Sequence, residues 1–311
     1  MIVSASRRTD IPAFFPDWFF KRIKEGYVYV RNPYNPNQVS LVDLSPSVVD
    51  CIVFVTKNPM RMLDRLNLLS QYHYYFQFTV TPYGQDLEPN VLPKDIIMDI
   101  FKKLSRSIGK ERVIWRYDPI ILTDTYDMKF HADAFARMAK DLSPYTGRCV
   151  VSFLDIYKSN AWSLSDINLI ELSSLRMKEA ARMISGIAGV YSLEVVSCAE
   201  VIDLDDCGIP HGKCIDEELI SRIAGYRLNI KKDRTQRAEC CCNASVDIGA
   251  YNTCPHGCLY CYANFNSLIA RKALEFHNAE SPLIIGNIGP NDRITERKAS
   301  SCIEHQDRFA F

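Results

Sequence analysis

The sequence predicts an α/β fold, a (β/α) barrel of the TIM type or a partial barrel. Three observations carry that expectation. Short β-rich apolar runs alternate with segments of helical period. Several runs are apolar on both parities, as strands buried on both faces are. Polar and charged residues collect where the runs end, on the face where a barrel carries its active site. The 311 residues, 47% of them apolar, suffice for one large core.

Taken in order, the first expected strand is MIVSAS (1–6), which ends in SRRTD, Ser6 to Asp10. Apolar spacing predicts a helix over 14–25. NPYNPNQVSLVDLS then reads as a polar turn and a short hairpin strand. DCIVFVT (50–56) leads into TKNP, followed by a helix over 59–70. YYFQFTVT (74–81) leads into TPYG, and the helix over 93–108 starts at Pro93 and stops before Gly109, the usual asymmetry of helix ends. RVIWRYD (112–118) precedes a helix over 127–141, and CVVSFLD (149–155) precedes one over 171–186. YSLEVVS (191–197) runs on towards Glu200. NASVDIGAY (243–251) reads as a further strand and NFNSLIARKALEFHNAE (264–280) as a helix. The expected organisation is a main β/α portion over 1–197, cysteine-rich loops over 198–242, a closing strand, loop and helix over 243–280, and a loose tail over 281–311.

Net charge is zero, so bulk charge announces no nucleic-acid-binding face, although a local patch is compatible with a neutral total. KKDRTQR (231–237) is the only dense basic stretch, and a solvated loop accounts for it. No apolar run approaches the roughly 20 residues that span a bilayer. The N-terminal residues lack the order of charge, apolar core and cleavage site of a signal peptide. A cytoplasmic location without membrane contact is therefore expected, and there twelve cysteines point to metal or redox chemistry rather than disulfides. They are unevenly placed. Cys51 and Cys149 read as small buried apolar residues, whereas nine of the twelve lie between Cys198 and Cys261.

The densest motif is YNTCPHGCLYCYAN, which spaces Cys254, Cys258 and Cys261 as C-x3-C-x2-C. Thiolates at these intervals reach neighbouring corners of a [4Fe–4S] cube. Zinc is the structural competitor, but it wants a fourth protein ligand, and His256 is cramped between its own neighbours for that role. Three cysteines on a cube leave one iron open, and an open position marks a reactive metal site.

With Tyr260 before the last cysteine and Ala-Asn after the next tyrosine, this loop resembles the cluster loop of radical S-adenosylmethionine (SAM) enzymes. Together with SASRRTDIP, VFVTKNP, RYDPI, HGKCID and KDRTQRAECCC, the chain resembles a radical-SAM-like family of unknown function, with distant similarity to spore-photoproduct-lyase relatives. The resemblance implies that Cys254, Cys258 and Cys261 hold a [4Fe–4S] cluster and that SAM occupies the open iron. It further implies that SAM is reductively cleaved to a 5′-deoxyadenosyl radical that abstracts hydrogen from a substrate. Tyr260 would then border the adenine, and a flavodoxin or ferredoxin would supply the electron. In that family the loop follows the first barrel strand. Here it follows the last, which a circular permutation explains if 243–251 lies beside and parallel to 1–6.

Four further cysteines, Cys198, Cys214, Cys240 and Cys242, are expected to form a second [4Fe–4S] centre, as a relay or a structural clasp, with zinc as the competing occupant. Alternate residues of an extended segment face one way, so Cys240 and Cys242 converge while Cys241 points off. The resemblance favours the same four and leaves Cys207 and Cys241 as extras. For SAM and substrate, the strand ends offer Arg7, Arg8 and Asp10, then Lys57, then Thr79 and Thr81, then Arg116 and Asp118. Arg7, Asp10, Lys57 and Asp118 are the candidate catalytic residues. Arg116 or Lys57 is expected to meet a carboxylate, with Thr79 and Asp118 near ribose or amine; an internal ion pair of Arg116 with Asp155 is the bland alternative. Two other classes remain open on the sequence: a non-catalytic iron–sulfur electron-transfer or sensor protein, and a zinc-binding structural protein.

Overall fold

A computed structural model describes residues 1–304; positions 305–311 of the expected tail lie outside the described residues. The chain opens with β1 (Ile2–Ala5), the short helix α1 (Ile11–Phe14) and α2 (Pro16–Glu25), which Gly26 ends at φ +77°. A hairpin, β2 (Tyr27–Arg31) and β3 (Gln38–Asp43), precedes β4 (Cys51–Thr56). Then come β5 (Tyr74–Thr79), α3 (Lys94–Ile108), β6 (Val113–Ile120), α4 (Met128–Leu142), β7 (Arg148–Phe153), α5 (Ser174–Val190) and β8 (Glu194–Ser197). The chain closes with α6 (Glu217–Ala224), β9 (Val246–Asp247), α7 (Ser267–Glu275) and β10 (Arg293–Glu296). Side-chain caps set several helix starts: Asp127 accepts from Phe130 N, Ser173 from Arg176 N, and Asp216 from Glu218 N and Leu219 N.

Seven strands form one parallel sheet in the order β8-β7-β6-β5-β4-β1-β9. The fold is thus a mixed α/β architecture whose parallel sheet, flanked by helices, is consistent with a partial barrel. Sequence neighbours are sheet neighbours throughout, except that β9 pairs beside β1, with Val3 opposite Val246 and Ser4 opposite Asp247.

The apolar runs on both parities have a direct cause. One face of the sheet, with Val3, Ile52, Phe54, Phe76, Phe78, Trp115 and Val151, packs in the main core with the helices. The other face, with Ile2, Val53, Tyr75, Ile114, Val150 and Val196, is covered by Cys214, Ile215, Leu219, Leu228, Cys240 and Cys242 of the cysteine-rich segment. Farther along the strands that second face turns polar, with Gln77, Arg116 and Asp118, and there the sheet opens into a cavity.

Several expectations are corrected. The segment 59–70 forms 3-10 turns over Met60–Leu69 rather than an α-helix. The strand over 243–251 shrinks to Val246–Asp247, and the helix over 264–280 to Ser267–Glu275. Within the described part of the expected tail, β10 joins β3 and β2 in a second sheet. Beyond it, Cys302 N donates to Asp50 Oδ2 at 2.8 Å, and the Met1 ammonium donates to the Ser300 carbonyl at 2.8 Å and pairs with Asp50.

Candidate active site

A cavity of about 440 Å³ opens at the C-terminal ends of the strands. All seven singled-out cysteines line it, together with Arg7, Asp10, Lys57, Thr79, Arg116, Asp118 and Tyr260. Thr81 does not reach the wall. It lies beyond the end of β5, buried, with Oγ1 donating to Glu88 Oε1 at 2.6 Å.

The cysteine loop is pinned by backbone and amide contacts. Leu259 N donates to Leu87 O (3.0 Å), Asn90 N to His256 O (3.2 Å) and Asn90 Nδ2 to Pro255 O (2.9 Å). From the other side, Asn264 Nδ2 donates to Cys254 O at 2.6 Å. Gly257 sits at φ +69°, where an added Cβ would stand 3.1 Å from Asn90 Nδ2, so this turn requires glycine. Among the described residues the three loop cysteines form no disulfide and no side chain donates to their Sγ atoms, although the backbone N–H of His256 approaches Cys254 and those of Ala263 and Asn264 approach Cys261. Burial pushes all three thiols up, Cys258 to about 12 despite the nearby Lys57 ammonium. Thiols so buried ionise when a metal centre supplies the positive charge.

The second set converges as well. Cys198 Sγ lies 3.2 Å from Cys214 Sγ, and Cys214 N donates to Cys242 Sγ at 3.1 Å. Cys240 differs from the others: a hydrogen bond from Cys242 draws its thiol down. Cys240 and Cys242 both line the cavity, whereas Cys241 turns away towards Glu239 O and Cys207 is buried in the main core. Cys51 and Cys149 are fully buried in strands, and burial pushes both thiols far up. Among the described residues no group of three His, Cys, Asp or Glu side chains is arranged to hold a single metal ion.

Most of the charged candidates are engaged with partners inside the protein. Asp10 accepts from Ala13 N, Thr56 Oγ1 (2.6 Å), Lys57 N (2.7 Å) and His256 Nε2 (2.9 Å). Four donors fill a carboxylate's capacity, so Asp10 ties β1, α1, β4 and the cysteine loop together rather than facing a reactant. His256 Nε2 is held by this contact, while its Nδ1 is buried with no hydrogen-bond partner among the described residues. Lys57 meets an internal carboxylate, Glu88 Oε1, at 2.7 Å, and its ammonium also stands 5.6 Å from the centre of the Tyr260 ring.

Glu88 is the group that sequence reasoning missed. It is 1% exposed and accepts from Lys57, Lys94, Thr81 and the Tyr260 hydroxyl. Burial raises its carboxyl, but Lys57 and Lys94 outweigh burial and hold it at about 2. Burial lowers the Lys57 ammonium, and Glu88 reverses that too. Asp247, also missed, accepts from Ser4 Oγ (3.2 Å), Ser6 Oγ (2.5 Å) and Arg7 N (2.8 Å), and its carboxylate lies 3.9 Å from Arg7 Nε.

Arg116 pairs with Asp118, not Asp155; Nε donates to Asp118 Oδ2 at 2.9 Å, and Asp155 pairs instead with Arg237. Asp118 also accepts from Ser152 Oγ. Gln236 and Arg237, from the basic stretch read as a solvated loop, line the cavity. His211 stands near Ser197, Nδ1 to Oγ 3.3 Å, and is exposed. Thr79 lines the wall and makes no side-chain hydrogen bond within the described residues. Arg8 lies over the Tyr251 ring at 5.2 Å, with Nε 4.0 Å from Asp247.

Residues 2–263 match the model of a family described as a domain of unknown function (DUF1848). No curated protein matches the chain. Among solved structures, a Bacteroides thetaiotaomicron protein provisionally named an alpha-L-fucosidase is similar at 10% identity over 57% of this chain and 72% of that one, with a TM-score of 0.27.

Proposed function

The chain belongs to the DUF1848 family, and we propose that it is a radical SAM-type iron–sulfur enzyme. The observation that carries this reading is the placement of Cys254, Cys258 and Cys261 on one cavity wall at the C-terminal ends of parallel strands. Three half-buried, unbridged thiols on one wall suit a cube with one open iron, and the cavity gives SAM and a substrate room beside it. A group of this kind supplies, when bound, the single electron for reductive cleavage of SAM. The pairing of β9 beside β1 supports a barrel of this class whose chain is circularly permuted.

The chain's own residues divide the remaining work. Asp10, through the His256 side chain, and Asn264, through the Cys254 carbonyl, hold the loop so that the three thiols share one side. The Glu88–Lys57–Tyr260 contacts fix the ring of Tyr260 against the wall, where it excludes water from the base of the cavity. Lys57 and Arg116 are neutralised by internal carboxylates. Thr79 and Arg8, whose nearest carboxylate Asp247 stands 4.0 Å away, therefore take over as the groups for SAM's polar ends, Arg8 for the carboxylate. The second cysteine set holds a second [4Fe–4S] centre facing the same cavity, and a flavodoxin- or ferredoxin-type reductant serves as donor.

Anaerobic reconstitution tests the reading. We expect about eight iron per chain and dithionite-dependent 5′-deoxyadenosine from SAM, both lowered by Cys254→Ala. Iron uptake without SAM cleavage, even with candidate substrates present, would assign the protein to electron transfer or sensing. Zinc uptake without iron would make it a structural zinc protein.

A further inference from the structure

One cation of the cavity wall directs its contacts to the second cysteine set. Arg116 is buried on the polar face of β6, and its Nη1 lies 2.6 Å from Cys214 Sγ. Asp118, itself held by Ser152, aims the guanidinium from the other side. The Cys214 backbone is fixed just as firmly, its carbonyl accepting from Tyr75 Oη (2.6 Å) and Gln77 Nε2 (3.0 Å). Gln77 Oε1 in turn stands 3.4 Å from Arg116 Nη1. Three inner-face residues of β5 and β6 thus clamp the oxygen and the sulfur of one cysteine. Among the described residues no cation donates a hydrogen bond to Cys254, Cys258 or Cys261, and the nearest candidate, Lys57, is committed to Glu88.

We propose that Arg116 is a positioning residue for the second centre: by donating to the Cys214 sulfur it raises the reduction potential of a [4Fe–4S] group on Cys198, Cys214, Cys240 and Cys242. This rests on the reading above that the four cysteines bind such a group. An N–H aimed at a ligand sulfur withdraws charge from the cluster and so favours the form carrying one more electron. The second centre is therefore the easier of the two to reduce, and the first electron delivered by a one-electron donor rests there. This assigns Arg116 away from the SAM carboxylate.

The test uses the full chain with Cys254, Cys258 and Cys261 all changed to Ala, which isolates the second set. After anaerobic reconstitution, iron is counted and the midpoint potential is read by EPR during dithionite titration, with Arg116 intact, as Arg116→Lys and as Arg116→Gln. We expect about four iron per chain, a midpoint that falls in Arg116→Gln, and an intermediate value in Arg116→Lys, which keeps the charge but loses the fork. In the otherwise native chain the same substitutions should shift only the first-reduced signal. Iron uptake with unchanged midpoints in both variants overturns the inference and leaves the cluster reading standing. If Arg116→Gln takes up no iron, an unchanged midpoint in Arg116→Lys is decisive against it. A triple-alanine chain that binds no iron, or zinc alone, overturns the second-centre reading and the inference with it.

Discussion

Changing Glu88 to Gln is the sharpest probe of how the cavity wall is built. The substitution keeps the shape and removes the one carboxylate that faces Lys57 at 2.7 Å and also pairs with Lys94. Two ammonium groups are then left facing each other, Lys57 at 12% and Lys94 at 23% side-chain exposure. At an effective dielectric of about 20, a unit-charge pair at that separation attracts by roughly 6 kcal/mol. Water reaching Lys94 and relaxation of both long side chains reduce the net loss to ~3–5 kcal/mol, the usual cost of stranding a buried partner. For a chain of this length, that corresponds to a melting point lower by about 5–8 °C. Thermal melts of anaerobic protein followed by circular dichroism read it directly. The pH dependence gives a second readout. A carboxyl held at about 2, against an ordinary 4.5, contributes stability that is fully present above pH ~4.5 and lost as pH falls towards 2. The gap between native chain and variant should therefore close across that window. A melting point lowered by less than about 1 °C at pH 7 would refute the claim that Glu88 is the keystone of this wall.

Three further outcomes follow from the same geometry. Gly257→Ala forces a Cβ into a left-handed turn 3.1 Å from Asn90 Nδ2; it should cost ~1–3 kcal/mol in chemical denaturation and reduce iron uptake at the first loop. Asp247→Asn removes the charge that Arg7 faces and weakens the acceptor shared by Ser4, Ser6 and Arg7 N. A loss of ~1–3 kcal/mol is expected, with faster amide exchange in β1 measured by mass spectrometry. Cys240→Ser should lower reconstituted iron by about half, whereas Cys241→Ser should leave it unchanged, because only the former faces the cavity.

Features with a short-range signature could be read from the sequence. The period of the apolar runs located six strands of the large sheet, and Pro93 and Gly109 bracketed α3 to within a residue. The two-residue alternation separated Cys240 and Cys242 from Cys241. Contacts made across long stretches of chain could not be read. Glu88 sits in a loop, and its partner Tyr260 is 172 positions away; nothing local distinguishes it from a solvated acid. Lys57, Asp10 and Arg116 line the cavity, but their partners were not foreseeable, so groups expected to meet a ligand are engaged by the protein itself. The strand β10 was missed because its residues are exposed and carry no apolar period.

The position of β9 has a consequence for the order of synthesis. Asp247 meets Ser4 across 243 positions of chain, so at about 5–20 residues per second the nascent protein waits roughly 10–50 s before that edge is filled. During this interval β1 can pair with β4 while its other edge stays bare, a template for stray strand addition. The first cysteine loop leaves the ribosome later still, when the rest of the large sheet is already available to receive it. The order of assembly is thus set by topology: the scaffold can form before the loop of Cys254, Cys258 and Cys261 is exposed, and a chain stopped short of residue 246 would keep an open edge and no such loop.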